Sequence, residues 1–239
     1  MNRAQPPPSS VVLLSGGMDS ATCLALAARR GPVDVLTVSY GQRHVRELRS
    51  ASALARRFGA RRHVLVRVPL RALVESALTD PKARLPRGGA HPRRIPTTYV
   101  PARNTILLAL ALAYAESHGA DRIYLGANAI DYSGYPDCRP EFVRAFNRLA
   151  VRATRAGAEG RPVRVVAPLL RLTKAGIVRL GSRLGVPWAS TWSCYAGGRS
   201  PCGNCDSCRL RAKGFREAGI PDPGVGRTIR TGRRPSRRP

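Results

Sequence analysis

The chain has 239 residues, of which 41 are Lys or Arg and 14 are Asp or Glu, so its formal net charge is +27. The apolar stretch near its amino terminus covers only Val11–Leu14, which excludes a spanning helix of roughly 20 residues there. Residues 1–10 lack the pattern of a secretory signal. We therefore expect a cytoplasmic protein with no membrane partner, long enough for one or two domains.

Strand-like and helix-like segments alternate along the chain. The apolar runs that predict strands are Val11–Leu14, Val33–Val38, His63–Val68, Arg122–Leu125 and Val163–Val166. The helical patterns between or after them are Asp19–Arg30, Arg43–Phe58, Asn104–His118, Pro140–Arg155 and Thr173–Leu184. Such alternation indicates an α/β fold with a doubly wound parallel sheet. A sheet of this kind binds ligands outside the carboxyl ends of its strands.

Composition divides the chain into four parts. Residues 1–10 and 221–239 are rich in Pro or Arg and poor in apolar residues, which predicts disordered tails. Residues 11–189 contain the alternating segments and form the predicted α/β domain. Residues 190–220 contain a cysteine cluster and form a predicted small carboxyl-terminal lobe.

A glycine-rich turn joins the first predicted strand to the first predicted helix. Its sequence, LSGGMDS, runs from Leu14 to Ser20. Glycines let the backbone approach a ligand closely, and the start of a helix offers unpaired N–H groups to an anion. The turn fits neither a Walker A loop nor a dinucleotide fingerprint, so it predicts another kind of phosphate site. The alternative is a plain turn in which Asp19 or Ser20 caps the helix.

Four cysteines lie within fifteen residues, at Cys194, Cys202, Cys205 and Cys208. In a reducing compartment, such crowding favours a metal site over disulfides. Four thiolates close a tetrahedral zinc site and leave no open position, which is the structural arrangement. An iron–sulfur cluster is the competing interpretation, and four free thiols are the third.

Several segments resemble one family. They are Tyr99–Thr105 (YVPARNT), Asp131–Phe142 (DYSGYPDCRPEF), Ala167–Lys174 (APLLRLTK) and Thr191–Tyr195 (TWSCY). The turn resembles the PP-loop of ATP pyrophosphatases, and together these segments resemble the 7-cyano-7-deazaguanine synthases of the queuosine pathway, over about residues 11–219. The resemblance implies an adenine nucleotide alpha-hydrolase-like sheet with a zinc-binding helical lobe. It also implies ATP-dependent conversion of 7-carboxy-7-deazaguanine and ammonium into the 7-nitrile, through an adenylate and an amide, by a homodimer.

The resemblance further implies roles for individual residues. The residues that would bind ATP are Leu14, Ser15, Gly16, Gly17, Met18, Asp19 and Ser20. Asp19 is the candidate Mg²⁺ ligand, and Arg103 and Lys174 would neutralise charge on pyrophosphate. Otherwise these two cations are ordinary residues at helix starts, where positive charge is mildly unfavourable. The candidates for binding the deazaguanine are Asp131, Tyr132, Asp137 and Arg139, and the alternative is a polar turn with a capping aspartate. Zn²⁺ would be bound by the four cysteines.

Two other functions remain open at this stage. The first is a PP-loop enzyme that modifies tRNA by sulfur or amine transfer, which the positive charge supports. Cys23 and Cys138 are an implausible pair for sulfur transfer, however, and the sequence shows no separate RNA-binding segment, so we expect no obligatory nucleic acid. The second is a basic zinc module that binds nucleic acid without catalysis, although the arginine-rich tail has no aromatic residues for stacking.

Overall fold

The computed structural model describes residues 9–42, 46–80, 82–85, 95–128 and 134–224. The strands are β1 (Ser10–Leu13), β2 (Val33–Ser39), β3 (Arg62–Arg67), β4 (Arg122–Tyr124) and β5 (Arg164–Val166). The helices are α1 (Met18–Ala28), α2 (Arg46–Arg57), α3 (Arg103–Ser117), α4 (Pro140–Ala153), α5 (Arg155–Ala158), α6 (Lys174–Arg183) and α7 (Asp206–Ala218). None of the helices in this part of the chain combines the length and apolar character needed to cross a membrane.

The five strands form one parallel sheet in the order β3-β2-β1-β4-β5. The predicted doubly wound α/β fold is thereby confirmed. The chain builds outward from β1 to β3 and then returns to the other side of β1 to add β4 and β5. The direction of winding therefore reverses between β1 and β4, and such a switch point leaves a crevice at the carboxyl ends of the strands.

Helices cover both faces of the sheet. Val11 and Leu13 of β1 pack in one core with α3 and α4, whereas Val12 and the adjoining Leu14 pack in another with α1, α2 and α6. Burial on both faces explains why the central strand is a continuous apolar run. Phe215 of α7 belongs to the second core, so the carboxyl-terminal helix shares a core with the sheet. The division at residues 189 and 190 stays a prediction.

Each predicted disordered tail includes a residue that the structure places in ordered contacts, next to the folded part of the chain. Ser10 belongs to β1, where its N–H donates to the Pro32 carbonyl at 3.1 Å. At the other end, Asp222 lies in the predicted tail 221–239, yet it forms a buried ion pair with Arg211. Composition missed both residues because a polar residue can be ordered by partners distant in sequence. Residues 1–8 and 225–239 lie outside the described residues.

The Arg211–Asp222 pair predicts a large effect on stability. Its side chains are only 7% and 8% exposed, and its two hydrogen bonds measure 2.7 and 2.8 Å. Arg211 also donates to Thr191 Oγ1 at 2.7 Å. We expect Asp222→Asn to lower the free energy of unfolding by about 3–5 kcal/mol, because it leaves a buried guanidinium uncompensated. Denaturant titration measures this loss. A chain ending at Gly224 keeps the pair and should unfold like the full chain; a loss below about 1 kcal/mol in Asp222→Asn would contradict the prediction.

Candidate active site

A cavity of about 270 Å³ opens at the carboxyl ends of β1, β2 and β4. The predicted site residues that line it are Leu14, Ser15, Gly17, Met18, Asp19, Ser20, Arg103 and Lys174. The three charged members come from the starts of α1, α3 and α6. The cavity therefore brings the phosphate turn and both predicted cations to one place, at the switch point of the sheet.

The glycine-rich turn depends on a close backbone approach at Gly16. This residue has a φ of +86°, and a Cβ atom there would lie 2.3 Å from the Glu47 carbonyl oxygen. Its own carbonyl accepts a hydrogen bond from the Trp192 N–H at 2.9 Å. Because α2 and the segment around Trp192 both pack against the turn, a larger residue at Gly16 would have to displace backbone.

The backbone N–H groups at the start of α1 can donate hydrogen bonds to an anion. The first hydrogen bond of the helix joins the Ala21 N–H to the Gly17 carbonyl, so the N–H groups of residues 18–20 have no acceptor within the helix. Ser20 Oγ accepts from the Ser15 N–H at 3.2 Å and donates to the Gly17 carbonyl at 3.1 Å. The serines thus fix the turn, and the free amides are available to a phosphate.

Asp19 and Lys174 form an ion pair inside the cavity. Lys174 Nζ lies 2.5 Å from Asp19 Oδ2, although the two residues are 155 positions apart. The other carboxylate oxygen, Asp19 Oδ1, is buried and has no hydrogen-bond partner among the described residues. Lys174 is held in place by α7, because a Cβ atom at Gly214 would lie only 2.7 Å from the Lys174 Cβ.

Arg103 enters the cavity at the first turn of α3. The preceding residue, Ala102, has a φ of +53°, a left-handed conformation that is uncommon outside glycine and often marks functional sites. The Arg103 guanidinium lies 5.7 Å from the centre of the Tyr40 ring, and Nη1 donates to the Tyr40 hydroxyl at 3.3 Å. This contact orients the positive charge above the end of β2.

The four clustered cysteines can bind a metal ion. Their sulfur atoms all lie within 4.8 Å of one another. Cys194 Sγ accepts hydrogen bonds from the N–H groups of Ala196 and Cys202 at 3.4 and 3.3 Å, and Cys202 Sγ accepts one from the Cys205 N–H at 3.4 Å. Backbone N–H donors favour sulfur atoms that carry negative charge, so these hydrogen bonds suit thiolates at Cys194 and Cys202.

The cysteine cluster also supports one wall of the cavity. Trp192 and Tyr195 pack against the buried cysteines and line the cavity as well. The Trp192 indole N–H donates to the Cys194 carbonyl at 2.9 Å, and the Arg46 guanidinium lies 4.9 Å from the centre of the indole. An ion bound by the cysteines would therefore fix the position of this part of the cavity wall.

Comparison with known proteins identifies the family of this chain. The model of the family described as "Queuosine biosynthesis protein QueC" matches residues 9–219. The chain belongs to the QueC family. A 7-cyano-7-deazaguanine synthase of Anaeromyxobacter sp. (strain Fw109-5) is 62% identical over 225 residues, covering 92% of this chain and 96% of that protein. One from Aromatoleum aromaticum is 54% identical over 221 residues, covering 91% and 97%. The resemblance found in the sequence motifs is thereby confirmed.

Solved structures show a more distant similarity. The NMN synthetase from Francisella tularensis gives a TM-score of 0.46 at 16% identity, covering 90% of this chain and 78% of that chain. An NAD+ synthetase from Burkholderia pseudomallei gives 0.41 at 15% identity, covering 90% and 74%. These values are too low to bear on the function of the QueC-family chain.

Two of the four residues predicted to bind the deazaguanine, Asp137 and Arg139, are described in the structure and do not line the cavity of this QueC-family chain. Asp137 is buried, and its carboxylate accepts a hydrogen bond from the Asn104 N–H at 3.0 Å. It thus caps the start of α3, which was the alternative interpretation of this turn. Arg139 is exposed at the N-cap of α4. Neither is among the residues that line the cavity, so the geometry gives no support to their binding substrate. Asp131 and Tyr132 lie outside the described residues.

Sequence reasoning missed several polar residues of the cavity. Those that line it without a predicted role include Tyr40, Gln42, Glu47, Asn128, Tyr135, Cys138, Trp192 and Tyr195. Three of them, Tyr40, Gln42 and Glu47, follow β2, whose carboxyl end lies beside that of β1 in the parallel sheet. Because ligands bind at the carboxyl ends of such strands, their position in the sequence was a signal that could have identified them. Cys138 is a different case: burial, with a contribution from Asp137, raises the pKa of its thiol to about 11, which keeps it uncharged near neutral pH.

Proposed function

We propose that this chain is an ATP-dependent carbon–nitrogen ligase that converts 7-carboxy-7-deazaguanine and ammonia into 7-cyano-7-deazaguanine. Membership of the QueC family and the printed names of relatives 62% and 54% identical support this reaction. The observation that carries the proposal is the grouping of Asp19, Lys174 and Arg103 around the free amides of α1 in one cavity. These groups suit a nucleotide whose phosphates gain charge during transfer.

Adenylation explains why the reaction needs ATP. A carboxylate is a poor electrophile, and transfer of the adenylyl group replaces an oxyanion with a good leaving group. The amides of α1 would bind the phosphates, and Lys174 and Arg103 would stabilise the charge that develops on the departing pyrophosphate. Asp19 positions Lys174 through their 2.5 Å ion pair. Ammonia would then displace AMP to give the amide, and a second activation, at the amide oxygen, would leave the nitrile.

The residues present fit both proposed metal ions. The buried and unpaired Asp19 Oδ1 is the kind of oxygen that Mg²⁺ prefers, together with phosphate oxygens. A bound Mg²⁺ would neutralise part of the charge on ATP. The four-sulfur set at Cys194, Cys202, Cys205 and Cys208 would hold Zn²⁺ in a closed structural site, away from the chemical step.

The decisive experiment is analysis of the product. Protein incubated with ATP, Mg²⁺, ammonium and 7-carboxy-7-deazaguanine should yield the nitrile, identified by mass spectrometry, with no RNA present. Omission of ammonium should stop the reaction after adenylation. A requirement for tRNA would instead favour the tRNA-modifying alternative. The sulfur-transfer form of that alternative gains no support from Cys23, which lies on α1 in the hydrophobic core and whose pKa is raised by burial.

We also propose that the chain forms a homodimer in the cytoplasm. The dimer rests on the resemblance to the family. The location rests on the four clustered thiols, none of which is in a disulfide and which need a reducing compartment to remain ligands. Analytical ultracentrifugation of the metal-loaded protein tests the dimer; a single monomeric species at micromolar concentration would contradict it.

A further inference from the structure

Two carboxylates line the cavity within the described ranges, those of Asp19 and Glu47. They differ in their partners. Asp19 is paired with Lys174, whereas no hydrogen bond or ion pair joins the Glu47 carboxylate to another group in the part of the chain that the structure describes. Arg103, whose charge acts on Glu47, donates instead to the Tyr40 hydroxyl. Glu47 therefore brings into the cavity a carboxylate that has no hydrogen-bond or ion-pair partner among the described residues.

The backbone fixes Glu47 beside the phosphate turn. Glu47 lies in the first turn of α2, and its carbonyl oxygen approaches Gly16 so closely that only glycine fits there. The side chain is partly exposed, toward the cavity that also contains Asp19 and Lys174. Glu47 thus stands next to the place where the bound nucleotide and the acid would meet.

The environment of Glu47 favours a bound cation. Burial raises the pKa of its carboxyl group to about 7; Arg103 opposes this rise, and Cys194 adds to it. An anion in such a setting gains free energy from any cation that hydrogen-bonds to it. Ammonia is mostly protonated at neutral pH, and the negatively charged acceptors that line the described cavity are the two carboxylates, of which Asp19 is already paired with Lys174.

We propose that the Glu47 carboxylate binds the ammonium ion that supplies the nitrile nitrogen, an inference that rests on the proposed function. In the amide-forming step, the nitrogen–carbon bond forms and the carbon–oxygen bond to AMP breaks. The ammonium ion loses two protons in the process. The Glu47 carboxylate accepts the first, which frees the lone pair for attack, and the second leaves to solvent.

The test compares two nucleophiles in Glu47→Gln, which preserves shape and removes the charge. The KM for ammonium should rise at least about tenfold, the scale for losing a hydrogen bond to a charged group. Hydroxylamine is mostly uncharged at neutral pH and traps the adenylate as a hydroxamate, so its rate should change by less than about twofold. ATP–pyrophosphate exchange without ammonium should also persist. Glu47→Asp should recover part of the ammonium affinity.

The controls separate this inference from the proposed function. Glu75→Gln removes an exposed carboxylate outside the cavity and should leave every readout unchanged. An unchanged KM for ammonium in Glu47→Gln would overturn the inference, as would an equal loss with hydroxylamine or a shift in the Mg²⁺ requirement for exchange. Absence of exchange and of nitrile in the unmodified protein would instead overturn the proposed function.

Discussion

Asp19→Asn and Lys174→Gln should each lower the rate of ATP–pyrophosphate exchange by about 10²–10³-fold, the range seen when one preorganised electrostatic contact to a transition state is lost. Lys174 carries the charge that would stabilise pyrophosphate, and Asp19 Oδ2 holds it at 2.5 Å. Asp19→Asn also removes the charge at Oδ1, the buried oxygen that fits Mg²⁺. Exchange measured with 7-carboxy-7-deazaguanine and labelled pyrophosphate isolates this step from attack by ammonia.

The variant that combines Asp19→Asn with Lys174→Gln should exchange pyrophosphate only slightly more slowly than the slower of the two single variants. Residues that act as one unit show non-additive losses, because the first substitution already disables the pair. Lys213→Gln is the matched control, since Lys213 lies on α7 with half of its side chain exposed and should exchange normally. If Asp19→Asn exchanges at the unmodified rate, the Asp19 charge has no part in adenylation. Fully additive losses would mean that Asp19 and Lys174 act separately.

Cys205→Ser should cause loss of folded protein before loss of any catalytic step. Structural zinc sites contribute about 10–16 kcal/mol of apparent binding free energy, which is folding free energy when the site forms only in the folded chain. The four sulfurs lie within 4.8 Å of one another, and Trp192 packs against them while lining the cavity. We therefore expect substoichiometric zinc, a lowered unfolding temperature and activity that falls in step with the folded fraction.

Metal analysis and thermal unfolding check this prediction together. Cys23→Ala removes a thiol outside the cluster and should keep a full complement of metal. A strong chelator should reproduce the effect of Cys205→Ser in the unmodified protein. Iron and visible absorbance in the purified protein would favour a cluster with sulfide instead. Full zinc content together with unchanged unfolding in Cys205→Ser would remove that residue from the ligand set.

The sequence by itself determined the local structure and the family. The apolar run before Ser15 predicted β1, and the glycines after it predicted a turn onto a helix whose free amides bind phosphate. Spacing alone marked the cysteine cluster. These features could be predicted because they depend on residues that are close in sequence: the hydrogen bonds of a turn and the periodicity of a buried face both involve short stretches of chain. The motif segments then indicated the family, which the match over residues 9–219 confirmed.

Tertiary structure alone decided which side chains meet. Lys174 pairs with Asp19 of α1, and Gly214 of α7 packs closely against it. Asp137 caps α3 by accepting a hydrogen bond from the Asn104 N–H, and its binding of substrate stays a prediction. Asp222, predicted to be disordered, compensates a buried arginine. Each of these contacts joins segments that are far apart in the chain. Packing of the folded chain determines which side chains meet, and such a contact produces no periodic pattern in the sequence near either residue.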